Sequence, residues 1–199
     1  MFDDLIVELD PATNRRGKCD GKERHLTEAA VMLAYGMHLL RTVPKLQKVE
    51  LHPDGEHGKR FEIAQWLSAR GFVLREPQGT TAYCGVYRND QQVIVVTSTP
   101  GKGDVVAQAD DGMIVAECKG GIVNTSHAGQ KSRLRKGLCE AVGLLMAREQ
   151  GGRQVAVVPN TETTLKLARK LVPRARDAGI EIALVDEQGR VVDVKPELE

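Results

Sequence analysis

The segment from Gly103 to Lys119, GDVVAQADDGMIVAECK, narrows the fold of this chain more than any other. Two apolar runs, residues 105–109 and 113–116, flank Asp110-Asp111-Gly112. Asp-Gly between strand-like runs is a strong hairpin signal, because both central residues of a type I′ turn need positive φ. With Asp111 and Gly112 as the two-residue loop, Asp110 faces Met113, and counting outward sets Asp104 opposite Lys119. Side chains alternate along a strand, so Glu117 and Lys119 share one face while Cys118 takes the other. Asp104 is then across from Lys119 and diagonal to Glu117, at roughly 5–8 Å. Two carboxylates and a lysine converge on one patch.

That patch has the chemistry of a hard-oxygen metal site. Mg²⁺ keeps several waters and takes few protein ligands, so two carboxylates suffice to hold it. An ion so held polarises a phosphoryl oxygen and lowers the pKa of a bound water. Lys119 beside it is placed to orient or deprotonate that water, or to neutralise charge on a phosphate. The plain alternative is a salt bridge on a strand surface, which contributes little.

The order Asp104, then Glu117-Cys118-Lys119 closing a hairpin, resembles the PD-(D/E)xK motif of restriction-endonuclease-like nucleases. Gly103 stands before the aspartate here, with Pro100 slightly earlier. Upstream, residues 58–72 (GKRFEIAQWLSARGF) are similar to the first helix of Holliday-junction-resolvase-like members. In those, a helix glutamate followed by a terminal Gly-Phe adds an acid to the metal site, and Glu62 matches that position. Read without the resemblance, Glu62 is an ordinary helix glutamate beside the stripe Phe61, Ala64 and Leu67. The resemblance covers residues 58–145 and implies an α/β, restriction-endonuclease-like core with a central mixed sheet flanked by helices. It implies Mg²⁺-dependent hydrolysis of phosphodiester bonds, with Mn²⁺ as a substitute and DNA as the substrate. Asp104 and Glu117 are then metal ligands, Glu62 supports the metal shell and Lys119 handles the water. The same resemblance admits an inactive relative that only binds nucleic acid or a protein.

Net charge is +1, which by itself announces no nucleic-acid binder. The cations are clustered, however. Lys131, Arg133, Arg135 and Lys136 crowd one helix start beside Gln130, and Asn14-Arg-Arg-Gly-Lys18 forms a basic loop followed by Lys22 and Arg24. Such patches are what contact with a phosphate backbone requires. Gly120-Gly121 reads as a flexible exit after Lys119. Four cysteines without a CxxC pair exclude a zinc ribbon or a disulfide framework, and Cys118 and Cys139 are expected to pack inward in a reducing cytoplasm. No apolar run approaches a membrane span, and the N-terminus lacks the basic region of a signal peptide.

The remaining periodicity predicts strands over 2–9, 72–75, 93–97, 154–159, 180–185 and 190–194. It predicts helices over 26–40, 58–71 and 132–148, and one after Asn160 or Thr161 that Pro173 kinks or divides before Gly179 ends it. Pro44 and the Pro53-Asp-Gly turn divide the chain into an N-terminal strand–helix extension, 1–55, and a nuclease-like domain, 56–199. Val31, Met32, Tyr35 and Leu39 exceed the narrow apolar stripe of the first helix, which raises the expectation of a homodimer.

Overall fold

The computed structural model describes residues 2, 4–54, 56, 60–79, 81–149 and 151–196. The hairpin organises it. Strand β7 (Val105–Ala109) pairs antiparallel with β8 (Gly112–Cys118), Ala109 facing Gly112 and Val105 facing Ala116. The two-residue loop is therefore Asp110-Asp111, one position earlier than the Asp-Gly signal predicts. Neither aspartate has positive φ, so the turn is not type I′; Gly112, at φ 133°, takes the positive φ just after it. Moving the loop by one residue changes the register by two, so the side chains within the ladder keep their expected faces. Asp104 lies just past the ladder, bonded to Ala116 and Cys118 and not set opposite Lys119.

Among the described residues, nine strands form one mixed sheet in the order β12-β11-β10-β8-β7-β3-β6-β5-β4. On one side of the hairpin, β10 (Arg153–Pro159) runs parallel to β8, β11 (Ile180–Val185) parallel to β10, and β12 (Val191–Asp193) returns antiparallel at the edge. β10 reads QVAVVP after its arginine and is buried throughout those six residues, as a central parallel strand requires. On the other side, β3 (Lys48–Leu51) pairs antiparallel with β7 and parallel with β6 (Val93–Val96). β5 (Gly85–Arg88) and β4 (Val73–Pro77) complete this wing. A second sheet of three short strands, β1 (Ile6–Leu9), β2 (Glu23–Leu26) and β9 (Gly121–Ile122), lies beyond the end of β8.

Among the described residues, four α-helices cover the sheets. Helix α1 (Glu28–Thr42) is capped by Thr27, whose hydroxyl accepts from the Ala30 amide. Ten of its fifteen residues are buried, which makes it a core helix and not an amphipathic surface one. Val31, Met32, Tyr35 and Leu39 are all at most 1% exposed, so the chain itself covers the apolar surplus that suggested a dimer. Helix α3 (Ala128–Met146) lays Leu138, Ala141 and Leu145 against Val115 and β10, as the periodicity predicts, and buries Leu134 beside Gly121 of β9. Helix α4 (Glu162–Asp177) starts in a capping box of Thr161 and Thr164 and runs through Pro173 as one helix. The short α2 (Ile63–Ser68) packs beside β4. Gly58 and Lys59, where the periodicity predicts the start of that helix, lie outside the described residues.

The boundary at residue 55 does not divide the structure. β3 lies inside the large sheet between β6 and β7, and α1 joins the same core as Val105, Ala107, Ala116 and Val157. The sequence suggests an extension because β3 is only four residues long and follows Pro44. Among the described residues no helix is long and apolar enough to cross a membrane.

Candidate functional site

The hairpin delivers its acids to one corner. Past the end of β7 the ladder becomes irregular: the Asp104 amide donates to the Ala116 carbonyl at 2.9 Å, while the Cys118 amide donates to Asp104 Oδ2 at 2.7 Å. The aspartate side chain thus replaces a ladder carbonyl, which fixes one carboxylate oxygen. Glu117, 4% exposed, lies one strand over, near enough for its charge to act on Asp104. Its Oε1 accepts from Arg148, just past the end of α3. Lys119 continues the strand direction, its amide bonded to the Val157 carbonyl at 2.9 Å. Its ammonium reaches Glu140 of α3 at 3.3 Å and Glu28 of α1 at 3.5 Å.

The charges do not balance evenly. Burial pushes the Asp104 carboxyl up to about 6; Glu117 and Glu28 add to that, against the Cys118 amide and Lys119. Glu28 is raised above the ordinary carboxylate value, chiefly by burial, with Asp54 and Glu140 adding and Lys119 opposing. For Lys119 burial works against the charge, yet Glu28, Asp104 and Glu140 together hold its pKa above the usual value. Lys119 is therefore an ammonium that donates hydrogen bonds and takes no proton from water near neutral pH. Cys118 is fully buried and its thiol is pushed well above its usual pKa by that burial, so it is neither nucleophile nor metal ligand through sulfur.

Glu62 makes no hydrogen bond or ion pair with Asp104 or Glu117 among the described residues. It occupies the N-cap of α2 with its side chain exposed. A helix carboxylate does stand beside the corner, but it is Glu28, to which the motif pattern does not point. Its signal is local: a Thr cap followed at once by an acid, directly before an apolar run.

The basic residues divide. Gln130 is 8% exposed and, with Arg133, lines a cleft next to Glu28. Arg135 and Lys136 are exposed and Lys131 half-buried, and none of the three lines the cleft. Gly120 follows Lys119 for a packing reason and not for flexibility: a Cβ there would stand 2.5 Å from the Glu28 nitrogen. Cys139, expected inside, is exposed on α3.

Among the described residues, no group of three or more His, Cys, Asp and Glu side chains is arranged to hold a metal ion. The donors that are present suit Mg²⁺ in kind, since both are carboxylates and that ion accepts one or two beside waters and phosphate oxygens. Asp104 Oδ1 and Glu117 Oε2 carry no hydrogen bond among the described residues. No family model matches the chain, and neither a curated protein nor a solved structure resembles it significantly.

Proposed function

We propose that this chain is a Mg²⁺-dependent nuclease with a restriction-endonuclease-like core, hydrolysing phosphodiester bonds in DNA. The observation that carries this reading is the meeting of Asp104, Glu117 and Lys119 at one corner, where Asp104 accepts from the Cys118 amide between the other two and feels the charge of both. Asp104 and Glu117 would hold the ion, and Mn²⁺ would serve in its place. When bound, such an ion polarises a phosphoryl oxygen and supplies a water of lowered pKa. The chain's own contribution is positional and electrostatic. Mutual repulsion of buried carboxylates favours any cation that enters, because desolvated like charges are relieved most by a positive one. Lys119, kept charged by its three carboxylate neighbours, offers N–H donors to a phosphate oxygen and to the attacking water. Glu28 holds that ammonium in place and takes the part expected of Glu62.

One observation favours a second reading, in which the fold binds nucleic acid or a protein without cutting. Arg148 already neutralises Glu117, so that carboxylate has a cationic partner without a metal. Incubation of single-stranded, duplex, nicked and branched DNA, and of RNA, with Mg²⁺, Mn²⁺ or chelator separates the two. The nuclease reading expects cleavage that needs the metal and disappears in Asp104→Ala. Cleavage that survives Asp104→Ala, or none with any substrate, overturns it.

A further inference from the structure

The two basic segments of the sequence, about a hundred residues apart, meet in space. Ser126, just before α3, donates its amide and its hydroxyl to the Lys18 carbonyl at 2.7 and 2.8 Å. The Asn124 amide group spans the same junction, donating to the Lys22 carbonyl at 2.8 Å and accepting from the Arg24 amide at 2.9 Å. Between these segments and the small sheet lies a cleft of about 560 Å³. That volume is in the range of sites for small organic ligands.

The cleft is apolar at its walls and cationic at its rim. Leu26, Ile122 and Leu134 contribute the apolar surface, and Arg15, Arg60 and Arg133 the charge. Arg15 is not a loose surface side chain. Glu23, only 2% exposed, grips it with two bonds, Nε to Oε1 at 2.5 Å and Nη2 to Oε2 at 3.0 Å. A guanidinium held this way keeps a plane and further N–H groups for an outside anion. Glu28 lines the cleft as well, and its carboxylate is 3.5 Å from the Lys119 ammonium. The cleft thus adjoins the Asp104–Glu117–Lys119 corner.

We infer that this cleft receives one unpaired nucleotide of a nucleic-acid strand, next to the phosphate held at the corner, so that single-stranded or frayed ends are preferred to intact duplex. The inference rests on the nuclease reading for the position of that phosphate. Apolar walls suit a nucleobase face, and the arginines suit its flanking phosphates. A paired base reaches such a cleft only after leaving its stack, at a cost of a few kcal/mol that an unpaired end does not incur. His25 supplies an aromatic ring at the cleft wall, and aromatics are 4% of the chain, so the cleft is suited to one base and not to a stacked run.

The test is fluorescence anisotropy in EDTA, using a labelled single strand of DNA about 15 nucleotides long, ample for one binding site, and the same sequence as a blunt duplex. The parent is expected to bind the single strand about tenfold more tightly, the value of one base contact. Leu9→Glu sets a carboxylate on the cleft wall at a position 49% exposed, where folding tolerates it. Arg60→Ala and Arg133→Ala remove exposed rim charges. Each variant is expected to lower the single-strand-to-duplex affinity ratio. Equal affinity for both forms in the parent, or a ratio that none of the three variants changes, overturns the inference. Cleavage with Mg²⁺ is scored separately. Single-strand preference without any cleavage leaves the cleft standing and removes the nuclease reading, whereas cleavage without that preference does the reverse.

Discussion

Two carboxylates, one on the small sheet and one at the end of a strand of the large sheet, have opposite fates. Glu23 of β2, 2% exposed, meets the Arg15 guanidinium on both oxygens and His25 at 3.2 Å. The Arg15 hydrogen bonds outweigh burial, and its carboxyl is held below the ordinary value. Asp104 has one backbone amide and, around it, two further acids against one lysine; burial dominates and its carboxyl is pushed up to about 6. Fold stability alone favours the first arrangement. The second leaves a charge poorly compensated, which is what a site awaiting a cation or a phosphate-bound metal requires.

The largest effects should come from removing the poorly compensated group and its lysine. Asp104→Ala is expected to lose both Mn²⁺ binding by calorimetry and all cleavage. Lys119→Ala should keep Mn²⁺ binding yet slow cleavage by at least about 10²-fold, the usual loss when a donor to developing charge is removed. Cleavage by Lys119→Ala at the parent's rate would break the contrast, because Asp104 would then be strained for no chemical purpose.

Next come opposite effects on stability. Glu23→Gln should melt several degrees below the parent at pH 7, since it leaves Arg15 without its anion. The depressed pKa of Glu23 means that its contribution is present above the ordinary carboxylate value of 4.5 and is lost as pH falls through the folded value. The gap between parent and variant should therefore close in acid. Asp104→Asn should do the reverse and melt above the parent at pH 7.5. Its raised pKa means that the folded form binds the extra proton between the ordinary value of 3.8 and about 6. Stability is thus lost as pH rises through that window, by at most about 3 kcal/mol. The advantage of Asp104→Asn should shrink as pH falls below about 6, a trend that melting curves at pH 5, 6 and 7.5 would read.

Smaller still is the effect of surface charge. Neutralising Arg133, Arg135 and Lys136 together should weaken DNA binding and flatten its salt dependence, by about one unit of slope for each phosphate no longer neutralised. Mn²⁺ binding provides the control, since none of the three residues touches Asp104 or Glu117. Glu62→Gln should change least of all, staying within about 0.5 kcal/mol in stability as an exposed substitution does. Glu28→Gln, measured beside it, should reduce cleavage. A loss in Glu62→Gln that matches Glu28→Gln would return the helix carboxylate to α2.

Much of the scaffold is readable from local pattern. The hairpin, the amphipathic α3 and the buried β10 and β11 each carry their own periodicity or turn signal within a few residues. The short β2, β3, β5 and β9 carry none, because strands of two to four residues have too few alternations to stand out. They form only because neighbouring strands complete their hydrogen bonds. The choice between Glu62 and Glu28 fails for a related reason. Both accompany apolar-periodic helix signals, and only packing reveals that α1 is buried over ten of its fifteen residues while the short α2 joins the same core beside β4.

The sequence by itself determined which chemistry-bearing residues share a face: alternation along β8 unites Glu117 with Lys119, and a two-residue shift of register does not disturb it. Only the tertiary structure decided their environment. Whether Lys119 is a base or a fixed ammonium depends on Glu28 and Glu140, which arrive from two different helices. Whether the basic loop and the start of α3 act together depends on Ser126 and Asn124 bonding across a gap of about a hundred residues. Side-chain direction is a property of neighbouring peptide units, so it is written locally. Desolvation and charge coupling fall off with distance in space and not along the chain, so they exist only once the chain has folded.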